Sequence, residues 1–127
     1  MKRFLALCLV AFLTACAQKP IYNVDNPMPQ AAQALPLDRV EKLIVEAGQT
    51  RGWTFDRVEA GHLVANQTQA KYAAVVDIYF DHKSWRIVYR SSVGLKADNG
   101  VIHEHYNAWI RNLEHDIETR LANAWAQ

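Results

Sequence analysis

The chain has 127 residues, half of them hydrophobic, with 14 basic against 13 acidic side chains and a net charge of +1 with histidines neutral. That length has room for one domain and a connecting segment, not for two domains. A balance so close to neutral excludes the basic stripe or patch that nucleic acid requires, so no nucleic-acid partner is expected.

Lys2 and Arg3 open the chain, and Phe4 to Leu13 is a nearly unbroken apolar run. A bilayer-spanning helix needs ~20 residues, so residues 1–15 read as a secretory signal peptide. Leu13-Thr14-Ala15-Cys16 closes this run and resembles the lipobox of bacterial lipoproteins. The resemblance implies cleavage before Cys16, acyl chains on Cys16 and a membrane as partner. Ala17 stands where an inner-membrane retention signal would place Asp, which implies the periplasmic face of the outer membrane in a Gram-negative host. Loss of Lys2 and Arg3 takes the basic count from 14 to 12 against 13 acidic residues, leaving −1. With Cys8 removed and Cys16 acylated, no internal disulfide is available, and the core must hold without one.

Residues 16–36 carry the lipidated cysteine and then Pro20, Pro27, Pro29 and Pro36, the only prolines in the chain. They read as an extended tether, able to reach ~60 Å at ~3.1 Å per residue. The alternative is that Ile21, Tyr22, Val24 and Met28 form a docking strand for a partner.

A single domain is expected over 37–127. Leu37, Val40, Leu43, Ile44 and Ala47 fall at helical spacing, with Asp38 and Glu41 as a capping box and Gly52 as the stop. Four strand-like runs follow, Trp53 to Val58, His62 to Gln67, Tyr72 to Phe80 and Ser84 to Ser91. Matching the apolar faces of the last two puts Ile78 opposite Ile87, Tyr79 opposite Arg86 and Val75 opposite Arg90, with Asp77 diagonal to both arginines. In the first hairpin a bulge is needed to turn Arg57 outward. A loop over Ser92 to Gly100 ends in the turn Asp98-Asn99-Gly100. The longest helix then runs from Ile102 through Tyr106, Trp109, Ile110, Leu113, Ile117 and Leu121 to Ala124, flanked by an Asp116–Arg120 pair. The order α-β-β-β-β-α predicts an α+β two-layer sandwich: a four-stranded antiparallel meander with both helices on one face. The other face is left open, and Val58, Val75, Tyr79 and Val88 make it greasier than solvation alone requires.

No residue pattern points to a reaction. His103-Glu104-His105 places two histidines two apart, which on a helix diverge by ~200°, so no metal is expected. Ser92, His103 and Asp98 supply the ingredients of a hydrolase, but there is no GxSxG elbow, and the chain reads as a non-enzyme without cofactor. Asp77 with Arg86 and Arg90 reads as a cross-strand ion network, with an anion site as the alternative. His103, Asn107 and Arg111 form a ridge at i, i+4, i+8 that either ties down the preceding loop or touches a ligand. The string Ile102 to Leu113, with Gly52-Trp53 and the strand from Trp85 to Ser92, resembles small proteobacterial lipoproteins, which implies a fold and no activity. The expected function is a lipid-anchored periplasmic binding or structural module that contacts another envelope protein. The alternatives are a small-ligand or peptidoglycan-fragment binder and a hydrolase using Ser92 and His103.

Overall fold

The computed structural model describes residues 18–126. The expected signal peptide (1–15) and the lipidation site Cys16 lie outside the described residues. In chain order the described elements are β1 (Gln18–Pro20), β2 (Val24–Pro27), α1 (Gln30–Gln33), α2 (Leu37–Gln49), β3 (Thr54–Glu59), β4 (His62–Gln69), β5 (Tyr72–Phe80), β6 (Ser84–Val93), β7 (Val101–His103) and α3 (Glu104–Ala122). A short 3-10 turn, Ala124–Ala126, follows.

Strands β3 to β6 form the expected antiparallel meander, and β2 adds a fifth strand beside β6, giving the order β2-β6-β5-β4-β3. A separate two-stranded ribbon pairs β1 with β7. Alternation dictates the layering: Leu63 and Ala65 of β4, Ala74, Val76 and Ile78 of β5, and Trp85 and Ile87 of β6 are all buried on one face. The same core takes Val40, Leu43, Ile44 and Ala47 from α2 and Tyr106, Ile110, Leu113 and Ile117 from α3, so the helices cover that face. Trp85 Nε1 donates to Glu118 of α3 at 3.2 Å, fixing the indole under the helix.

The tether expected over 16–36 is not what the described part of that segment forms. Residues 18–36 belong to the domain: Val24, Met28, Ala31 and Ala32 are buried in the core, and Asp25 pairs with Arg86 across the edge of the sheet. The prolines are compatible because they sit where a missing N–H costs little, at strand ends and helix entries. Ile21, Tyr22, Val24 and Met28 thus dock on their own domain.

Four smaller expectations change as well. The Asp38–Glu41 capping box is absent, since Pro36 is the N-cap of α2 and makes no side-chain bond. Asp116 and Arg120 do not pair with each other; Asp116 takes Arg51 at 2.5 Å and Arg120 takes Glu46 at 3.4 Å, stitching α3 to α2 and its exit. The β3 bulge falls at Val58, one residue too late to turn Arg57 out. Arg57 stays opposite Leu63 on the helix side and reaches Glu41 of α2 at 3.1 Å from the sheet edge. A second bulge sets Val75 opposite Ser91 and Val76 opposite Tyr89, so Arg90, not Ser91, is the extra residue. Ile78 opposite Ile87 and Tyr79 opposite Arg86 stand as expected.

The turns follow local chemistry. In the β5–β6 loop Asp81 Oδ1 accepts the N–H groups of Lys83 and Ser84 at 2.7 and 2.9 Å, which holds its carboxyl below the usual range. Asn99 and Gly100 both take positive φ, as the turn closed by Asp98 and Val101 demands.

One core group lacks a partner among the described residues: the hydroxyl of Tyr106, fully buried and packed edge-on against Tyr89 at 5.5 Å. Burial, and after it the neighbouring Tyr89, pushes this phenol upward. Tyr106→Phe removes a desolvated donor while keeping the ring, and it is expected to raise stability by about 1 kcal/mol. Urea unfolding with an unchanged slope measures this, and a lower midpoint would show that the hydroxyl has a partner after all.

Candidate functional site

The sheet face that the helices leave uncovered carries a row of side chains crossing all five strands. Register places Glu59 opposite His62, His62 opposite Tyr79, Tyr79 opposite Arg86 and Arg86 opposite Asp25. Directly opposed residues in antiparallel strands share a face, so the three central members meet by construction. The imidazole of His62 stacks on the Tyr79 ring with centroids 4.3 Å apart, and the Arg86 guanidinium lies over the other neighbour position, 4.6 Å from the same ring. Asp77, two residues along β5, braces the row: its Oδ1 meets His62 Nε2 at 2.7 Å and Arg90 Nη1 at 3.5 Å.

The expected Asp77–Arg86–Arg90 network therefore exists only in part. Arg90 reaches Asp77 at the limit of contact and is half exposed, while Arg86 spends its guanidinium on the ring of Tyr79. The short bond belongs to His62, which the sequence reading did not single out. The signal was present in the turn between the second and third strand-like runs, because a hairpin closed at Ala70-Lys71 brings His62 level with Tyr79.

The ridge on α3 is divided. Asn107 is buried, and both ends of its carboxamide serve backbone: Nδ2 donates to Pro20 O at 2.8 Å, and Oδ1 accepts Tyr22 N–H at 2.9 Å. It ties down the N-terminal segment instead of the loop before the helix. Arg111 lies over the Tyr22 ring at 4.8 Å, while the Tyr22 hydroxyl donates to Glu114 at 2.5 Å. That bond first, and burial second, raise the Tyr22 phenol above its ordinary range. Asn107, Arg111, Lys19 and Tyr22 line a cleft of about 510 Å³; His103 is not among its lining residues.

His103 is the N-cap of α3, with φ −60° and ψ 139°, and so is not helical. The divergence expected of helical residues two apart therefore does not hold, and the His103 and His105 rings approach to 4.5 Å with Nδ1 atoms 3.0 Å apart. His103 Nδ1 also accepts the His105 N–H at 3.1 Å, so its side chain caps the helix. Among the described residues no group of three or more His, Cys, Asp or Glu is placed to hold a metal. Ser92 meets the Tyr89 hydroxyl at 2.8 Å, and Asp98 bridges to Val101; neither is hydrogen-bonded to His103. Comparison of the chain with protein-family models, with curated proteins and with solved structures finds no match.

Proposed function

We propose that the chain is a lipid-anchored binding module of the periplasm, held to a membrane through Cys16 and presenting its uncovered sheet face to another envelope protein. The observation that carries this reading is the assembled row His62–Tyr79–Arg86 with Asp77 beneath it. Tyrosine and arginine are the side chains on which interface energy concentrates, because each offers large, stiff contact area with a polar edge. Holding them in place before a partner arrives avoids ordering costs of about 0.5–1.5 kcal/mol per side chain. Part-buried Val64, Val75 and Val88 supply apolar ground around the row.

The alternatives have weaker support. A ligand in the cleft beside Arg111 finds the Asn107 carboxamide already satisfied by backbone. Hydrolysis requires Ser92 and His103 to meet, and their hydrogen bonds lead elsewhere.

A photo-crosslinking side chain placed at Val88 tests the proposal in cells, with one at Lys42 on the exposed side of α2 as the comparison. One adduct of reproducible mass is expected from Val88 and none from Lys42. Tyr79→Ala is expected to weaken that contact about thirtyfold, the ~2 kcal/mol typical of a central aromatic anchor. Equal adducts from both positions, or an adduct indifferent to Tyr79, would remove the sheet face from consideration.

A further inference from the structure

Gln18 is already paired, opposite His103, and its Nε2 donates to Lys96 O at 3.1 Å. Cys16 precedes it by two residues, a backbone span of at most ~7 Å. An anchor at Cys16 therefore does not hold the domain at a distance; it fixes which end of the domain touches the membrane.

That end has a composition of its own. The Tyr72 ring packs against the touching rings of His103 and His105, with centroids 6.0 and 5.2 Å away, and Lys71 Nζ lies 5.7 Å from its centre. Val93, paired with Ala73 at the end of β6, is 66% exposed, one of the most exposed large apolar side chains described. Tyr72 turns toward the helix side and Val93 toward the other, so the two bracket the end of the sheet. Exposed Lys71 and Lys96 flank them, against exposed Glu104. The opposite end, at the Asp81–Ser84 turn, is eight residues of β5 away, roughly 27 Å at ~3.4 Å per residue.

We propose that this end of the domain rests on the headgroup layer that holds Cys16, with Tyr72 and Val93 in the interfacial zone and Lys71 and Lys96 on lipid phosphates. The proposal rests on the anchored reading above. Tyrosine favours the headgroup level, where its ring is partly dehydrated and its hydroxyl stays wet. Each lysine near an anionic surface contributes about a fivefold gain in the docked state. Docked in this way, the sheet stands on its end, and the His62–Tyr79–Arg86 row faces sideways along the membrane instead of into it.

The test uses the acylated protein in vesicles of phosphatidylethanolamine and phosphatidylglycerol, with single spin labels at Val93→Cys or His82→Cys. Acylation caps the Cys16 thiol, so the introduced cysteine is the one that labels, and mass spectrometry records the state of Cys16. The label at position 93 is expected to lose collisions with a water-soluble nickel complex, whereas that at position 82 stays open. Lys71→Gln with Lys96→Gln is expected to lower the docked-to-free ratio about 25-fold and restore collisions at 93. Acylated protein with equal collisions at both positions would overturn the docking and leave the anchor intact. An unmodified Cys16 would overturn both.

Discussion

Met28→Ala is expected to cost about 2–5 kcal/mol of folding stability, the range for truncating a long buried side chain to a methyl. Met28 is 1% exposed within the core. Its N–H donates to Lys83 O at 2.8 Å, and its carbonyl accepts from Gln33 Nε2 at 3.0 Å, so the side chain cannot withdraw without disturbing the chain on both sides. A residue in a solvated tether would give a change near zero. Equilibrium unfolding in urea distinguishes the two, and a shift under ~0.5 kcal/mol would return residues 24–33 to the status of a leash.

Asn107→Ala is expected to cost about 2–4 kcal/mol, because it strands two backbone groups at once, the carbonyl of Pro20 and the N–H of Tyr22. The loss should be local as well as global. Hydrogen exchange at the Tyr22 amide is expected to accelerate more than at any β5 amide, since the carboxamide is its partner. Asn107→Asp separates the two bonds: it keeps the acceptor for Tyr22 but loses the donor to Pro20 and buries a charge. It should therefore be no milder than alanine. Unchanged exchange at Tyr22 in both variants would mean that the segment is held by Glu114 and the core alone.

The sequence carried the meander and the two long helices because they rest on local periodicity. Val76, Ile78, Trp85 and Ile87 alternate, and Val40, Leu43, Ile44 and Ala47 repeat by threes and fours, so each face declares itself without reference to a distant residue. The segment 18–36 was misread because its partners lie far along the chain. Val24, Asn26 and Met28 are too few and too widely interrupted by proline to show a period, and their burial depends on β6 and α3. The bulge at Arg90 was illegible for a related reason: alternation continues through it on paper, and only the match to β5 reveals the extra residue. At the candidate site, Tyr79 and Arg86 followed from register, but His62 needed the neighbouring hairpin aligned too. The metal argument at His103 failed on a boundary, since one residue of extended backbone at a helix start redirects the ring.

Strand β2 fills the outer edge of the sheet, yet its partner β6 ends nearly seventy residues later, and the bonds from Tyr22 to Glu114 and from Asn107 to Pro20 span 92 and 87 positions. Residues 20–27 thus cannot complete their contacts until α3 has been made. At ~5–20 residues per second, synthesis alone keeps them waiting for several seconds, and loop closure over such lengths slows the final step further. During that interval β6 presents an unpaired rim to any other extended peptide. Arg86 and Arg90 put charge along this rim, the common defence of an open strand against pairing with a stranger.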